Sequence, residues 1–358
     1  MTGYDYGNAR LRARRAGLLR REQYAALAGR ELPGLLAALA ASGYQAQAEH
    51  AASTRPLRLV ERLVRERLAA ALGDVAGFYR DQAATVVATI FGRFDVPNVL
   101  AVLRAAHQGG TAGLDGAALL PGGRLDVRTA REAASQPELP AAARLLAGRR
   151  LPDPDSAAVL LTASRHYQVD TSLAAVEHAV AWAGRAHQAR VLAAAGPAAE
   201  PVTAVLWRET DDQNLLLALR LREAGQPPGV ASGSGPGGGR FLPGGIVPDS
   251  QLGAIAGALA RGDAVAVAEA GPAAARWGPA LTAWADTGDL AALHDRLDAE
   301  RLREDLRLLR AADPLGPAAV LYHVLAHQAQ ARNIRLLAQA AAGTISHDAA
   351  RRQLIEPG

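Results

Sequence analysis

The chain has 358 residues, 49% of them hydrophobic, largely Ala and Leu, and only 4% aromatic. A core of that composition is built from many small contacts between close-packed helices, which favours helix over sheet. All 39 basic residues are Arg, cysteine is absent and the net charge is only +4, which excludes a disulfide framework, thiolate catalysis and Cys-ligated zinc and gives no support to nucleic acid as a partner.

The polar start, Met1 to Asn8, runs into Arg10, Arg12, Arg14 and Arg15 and then Arg20 and Arg21. It lacks the apolar run of a signal peptide, so export by that route is not expected. No stretch of the chain reaches about 18 uninterrupted apolar residues, so no membrane span is expected either. The arginine cluster reads as a solvated helix face or as a surface for a partner. Tyr24 is the one aromatic among these arginines, so stacking on bases is poorly served.

Two landmarks then recur in the same order. Leu57-Arg58-Leu59-Val60-Glu61 returns as Leu173-Ala174-Ala175-Val176-Glu177 and as Leu290-Ala291-Ala292-Leu293-His294, at intervals of 116 and 117 residues. Asn98-Val99-Leu100-Ala101-Val102-Leu103-Arg104 returns as Asn214-Leu215-Leu216-Leu217-Ala218-Leu219-Arg220 after 116 residues and as Asn333-Ile334-Arg335-Leu336-Leu337 after 119. Such self-similarity predicts three copies of one helical domain. The boundaries fall at 1–112, 113–230 and 231–358, with a Gly-rich linker at about 229–240.

Each Asn segment carries an apolar stripe at i, i+3, i+4 and i+7, as in Val99, Val102, Leu103 and Ala106. Asp95 and Asp211, three residues before Asn98 and Asn214, are expected as N-caps. Pro97 then sits in a first turn, and Gly109, Gly225 and Gly343 close the helices. Phe91 and Trp207, each seven residues before its Asn, are expected as core anchors. Asn98, Asn214 and Asn333 are expected to hydrogen-bond backbone at helix junctions, because a buried amide is costly unless paired. Leu120-Pro121-Gly122-Gly123 and Leu242-Pro243-Gly244-Gly245 read as turns leading into the next copy.

Little of the chain points to chemistry. Residues 229–240 lack the Gly-Lys-Ser/Thr ending of a phosphate loop and read as a linker. His323 and His327 are four apart on a predicted helix, but Val324 replaces the glutamate of a zinc hydrolase motif, so they read as surface or interface histidines. Glu209, Asp211 and Asp212 are adjacent carboxylates of the acid/base kind, yet capping accounts for Asp211. No catalytic, cofactor-binding or metal-binding residue is assigned.

Several segments carry a family resemblance. They are Tyr6-Gly7-Asn8-Ala9-Arg10-Leu11-Arg12-Ala13-Arg14-Arg15, the three Asn helices with Asp95 and Asp211, Phe241-Leu242-Pro243-Gly244-Gly245, and Asp313-Pro314-Leu315-Gly316 ahead of Asn333-Ile334-Arg335. Together they resemble the C subunit of bacterial and archaeal V-type ATPases, the counterpart of the eukaryotic d subunit. The resemblance implies an all-α funnel of three similar domains with pseudo-threefold symmetry. It implies a non-catalytic rotor part, one copy per complex, on the cytoplasmic side of the plasma membrane. Its expected partners are the D and F subunits of the shaft and the membrane proteolipid ring, with Arg10, Arg12, Arg14 and Arg15 as candidate contacts. A helical-repeat scaffold for another protein or RNA is the alternative, and a metal-dependent hydrolase a distant third.

Overall fold

The computed structural model describes residues 3–42, 44, 56–110, 114, 119–223, 241–260, 263 and 275–356. The Gly-rich 229–240 stretch and the helix end expected at Gly225 lie outside the described residues. The fold is all-α: the described residues form fifteen α-helices and no strand. In chain order these are α1 (Asp5–Arg15), α2 (Arg21–Leu27), α3 (Leu32–Ala41), α4 (Pro56–Leu72), α5 (Asp81–His107), α6 (Val127–Ala134), α7 (Leu139–Gly148) and α8 (Pro154–Asp170). There follow α9 (Leu173–Ala195), α10 (Glu200–Glu223), α11 (Asp249–Ala260), α12 (Gly278–Thr287), α13 (Leu290–Ala311), α14 (Ala318–Ala341) and α15 (His347–Gln353).

The helices gather into two compact units whose boundaries fall inside α5 and α13. Unit one joins residues 1–94 and 119–123 to the C-terminal 302–358. Its centre is α14, where every residue from Ala318 to His327 is buried. A helix apolar around its circumference must be covered on all sides, and α1, α3, α4 and α15 all pack against it. Leu59, Val60, Leu63 and Val64 of α4 share one core with Leu35 and Leu39 of α3 and Ile334, Leu337 and Ala338 of α14.

Unit two comprises residues 95–118 and 124–301. Leu215 and Leu219 of α10 form a core with Leu252 and Ile255 of α11, Leu281 and Trp284 of α12, and Leu293 and Leu297 of α13. Asp126, Asp153 and Ser172 accept hydrogen bonds from first-turn amides of α6, α8 and α9, which satisfies donors with no intrahelical partner. A Cβ at Gly184 of α9 would lie 2.7 Å from Val96 Cγ2, so that close helix contact requires glycine.

Two expectations are corrected here. Asp95 and Asp211 lie in the interiors of α5 and α10 and cap neither helix. The helical stripe extends upstream through Val86, Val87, Ile90 and Phe94, all buried, so the Asp that imitates a cap interrupts a helix already under way. Pro97 is therefore mid-helix, where it removes one i to i−4 bond. Second, Phe91 is a buried anchor at 4% exposure, but Trp207 at the equivalent position is 38% exposed. By length and composition α5 is long and apolar enough to cross a membrane, but 61% of that stretch is buried inside the protein, as in a core helix.

Candidate functional site

The repeat positions identify the most built-up polar features of the chain. On α10, Asp211 and Asn214 stand three residues apart and so share a helix face. The Asn214 amide grips one residue of the turn twice: Nδ2 donates to Leu242 O at 2.9 Å and Oδ1 accepts from Leu242 N at 2.7 Å. One helical turn earlier, Asp211 Oδ1 accepts from Val247 N at 3.1 Å. The Leu242-Pro243-Gly244-Gly245 turn is thus held at both ends. Its glycines are required: Gly244 has φ +86°, and a Cβ on Gly245 would collide with Asp211 Oδ1.

The same construction recurs at Asp95, whose Oδ1 accepts from Arg124 N at 2.6 Å and Leu125 N at 3.3 Å. Those residues follow Gly123 as Ile246 and Val247 follow Gly245, so the register is identical. Asn98 is buried at 1% exposure. At the third Asn position Asn333 grips Ile355, with Nδ2 donating to its carbonyl at 2.7 Å and Oδ1 accepting from its amide at 2.9 Å. Gln330 replaces the Asp there; it accepts from Leu19 N at 2.7 Å and donates to Tyr44 OH at 2.8 Å. A fourth buried amide, Asn8 on α1, donates to Pro314 O and Gly316 O, each at 3.0 Å, and accepts from Tyr79 OH at 2.9 Å. Sequence reasoning assigned Asn8 no structural role, though it stands in the segment that carries the resemblance.

Glu61 and Glu177, the last residues of the other landmark, are occupied in parallel. Arg335 meets Glu61 with two bonds of 2.7 Å in unit one. Arg104 meets Glu177 with bonds of 2.6 and 3.0 Å in unit two. These forks are the geometry that guanidinium and carboxylate favour. The Arg335 bond, opposed by partial burial, holds the Glu61 carboxyl below its usual range. Spacing marked both glutamates, but no sequence signal named their partners.

The adjacent carboxylates are engaged as well. Asp212 accepts from Trp277 Nε1 at 2.8 Å and Arg276 at 2.9 Å and lies 3.3 Å from Arg301 Nε, while Glu209 meets Arg185 at 3.1 Å. Burial pushes the Asp211 carboxyl up to about 6, against the lowering effects of the Val247 amide and Arg276. Asp153, Asp155 and His187 form the one cluster of metal-ligating type among the described residues. Asp153 caps α8 and Asp155 pairs with His187 at 2.7 Å and with Arg190, so helix capping and ion pairing account for all three.

The four candidate arginines on α1 separate into two kinds. Arg14 reaches Asp74 at 3.3 Å and Ala71 O at 3.4 Å, and Arg15 lies 4.3 Å from the centre of the Tyr322 ring. Arg10 and Arg12 are exposed; Arg10 stacks on Phe78 at 4.0 Å. His323 and His327 are not surface residues, which corrects the expectation: they are 0% and 5% exposed on α14, with rings 4.5 Å apart. Burial first, then neighbouring positive charge, lowers His323 to about 4; burial, then His323 and the arginines, lowers His327 to about 3.

The family model described as ATP synthase (C/AC39) subunit matches residues 7–353 of this chain. No curated protein matches it.

Two outcomes follow from this geometry. Asn214→Leu leaves Leu242 N–H and C=O without their partner and costs about 1–3 kcal/mol, read as a lower urea midpoint; an unchanged midpoint would show the grip contributes nothing. A folded-state pKa below the unfolded value makes protonation of a buried His unfavourable to folding, so wild-type stability is full above about pH 6.5 and declines as pH falls toward about 4. The stability of wild type relative to His327→Gln therefore falls from pH 7 to 4.5 in pH-resolved urea titrations. A constant difference would mean His327 titrates as in the unfolded chain.

Proposed function

The chain belongs to the ATP synthase (C/AC39) subunit family, and from that premise we propose that it is the non-catalytic socket of a rotary ATPase rotor. In this reading it joins the D/F shaft to the membrane proteolipid ring and transmits the torque that couples ATP synthesis or hydrolysis to proton or sodium movement. It sits on the cytoplasmic side of the plasma membrane, one copy per complex, with its three repeats arranged as a funnel about the rotation axis. The observation that carries the proposal is the family match across nearly the whole chain.

The physical chemistry of the chain supports it. A torque-bearing adaptor needs stiffness, which close-packed helices and doubly held turns supply. The bidentate ion pairs tie α5 to α9 within unit two and α14 to α4 within unit one, which adds to the rigidity such a part needs. Exposed Arg10 and Arg12 are the residues of α1 with charge to spare for acidic groups on a partner, whereas Arg14 and Arg15 serve contacts within unit one.

The test is native mass spectrometry of the purified chain with D/F and, separately, with the solubilised ring. One-to-one binding to the shaft and one copy per ring are expected; binding to neither would move a general helical scaffold to first place. Arg10→Ala/Arg12→Ala is expected to weaken docking by up to about tenfold at low salt and less at high salt. Equal affinity at every salt concentration would remove both residues from the interface.

A further inference from the structure

One buried nitrogen on each of His323, His327, Arg15 and Arg67 remains unexplained, although Arg15 stacks on Tyr322 and Arg67 also donates to Gly17 O at 3.3 Å. α14 presents His323, His327 and Gln330 at i, i+4 and i+7, one buried stripe. Gln330 is bonded through both Oε1 and Nε2, whereas each histidine has a ring nitrogen without a partner among the described residues. His323 Nε2 lies 3.2 Å from Ala71 O; a carbonyl only accepts, so the proton resides on Nε2 and Nδ1 is bare. His323 Nδ1, His327 Nε2, Arg15 Nε and Arg67 Nε are all buried with no hydrogen-bond partner among the described residues. They come from three helices, α1, α4 and α14.

The charged neighbours of Arg15 and of the two histidines are arginines. The leading electrostatic neighbours of Arg15 are Tyr322, Arg12 and Arg310; those of the two histidines are Arg14, Arg15, Arg67 and each other, with no carboxylate among them. Arg14 is balanced by Asp74, an exposed residue. Tyr44 adds its ring 5.8 Å from the Arg67 guanidinium. Unpaired buried donors and uncompensated buried positive charge are both expensive. This setting repels a metal ion, although two imidazoles stand one helical turn apart. Arg15 and Arg67 are only partly buried as whole residues, which leaves the group open to solvent at the guanidinium side.

We propose that α1, α4 and α14 of unit one form a binding site for a small oxyanion, with Arg15 and Arg67 donating at its mouth and His323 and His327 at its base. The free-anion form is phosphate; a carboxylate supplied by a side chain has the same chemistry. The anion takes two Nε–H donors, and its charge favours protonation of the imidazoles, which then donate as well. Burial and the surrounding arginines keep both rings neutral when the site is empty. The proposal does not depend on the rotor reading, since it concerns the isolated chain.

The test is a titration of the full chain, labelled with ¹⁵N-histidine, with inorganic phosphate and separately with acetate, read by long-range ¹H–¹⁵N spectra of the imidazoles. His323→Gln and His327→Gln assign the two signals. In a titration near pH 5, saturable movement of both toward the protonated pattern, with their apparent pKa raised by about one unit or more, is expected. Arg15→Gln/Arg67→Gln should weaken the half-saturation about tenfold or more. Response to phosphate alone assigns the site to the free anion, and equal response to acetate assigns it to carboxylates. No saturable change with either anion in the wild-type chain overturns the proposal, as does an unaltered response in a folded double variant. The wild-type titration decides even where the double variant does not fold.

Discussion

A buried side chain that holds the backbone of a turn is the constraint on which this fold depends. A carboxamide offers one donor and one acceptor in a fixed plane, so it can satisfy the N–H and C=O of a single residue at once. Asn214 does so at Leu242, and Asn333 at Ile355. In each case a polar group inside a long helix fixes a segment that has no helical hydrogen bonds of its own. Removing the side chain leaves two backbone groups without their partner. The glycines of Leu242-Pro243-Gly244-Gly245 are the other half of that device: they let the turn lie close enough for Asp211 to reach past it.

The rest of the architecture builds on these fixed turns. With the connections held, long helices such as α10 and α14 pack through Leu, Ile and Ala along their apolar faces. Forked pairs at Glu61 and Glu177 tie α14 to α4 within unit one and α5 to α9 within unit two. Asn8 joins the N-terminal helix to the Pro314–Gly316 segment, and Gln330 joins α14 to Leu19. Unit one is therefore made from both ends of the chain. Small apolar side chains packed between fixed polar anchors leave the helices little room to shift, which is in keeping with the proposed rotor-socket role.

Much of this was legible before the structure. The spacing of Asn98, Asn214 and Asn333 marked the polar anchors, and the need to pair a buried amide gave Asn214 and Asn333 a backbone partner. What misled was local ambiguity. An Asp three residues ahead of an apolar run looks like an N-cap, and only the apolar positions further upstream reveal a continuous α5. Histidines four apart on a helix look like a surface pair, because no periodic signal says that α14 is covered on every side. Trp207 and Phe91 share a repeat position but differ in exposure, since packing around one turn is not copied from repeat to repeat. The forks at Glu61 and Glu177 pair residues far apart in sequence, which no local pattern can match.

The most direct test of the account is amide hydrogen exchange at Leu242 and Ile355. If Asn214 and Asn333 hold these turns as described, both amides exchange as slowly as those in the interiors of α10 and α14, although neither residue lies in a helix. Exchange as fast as an exposed loop amide would mean that the grips open freely, and the claim that buried side chains fix the turns would fail.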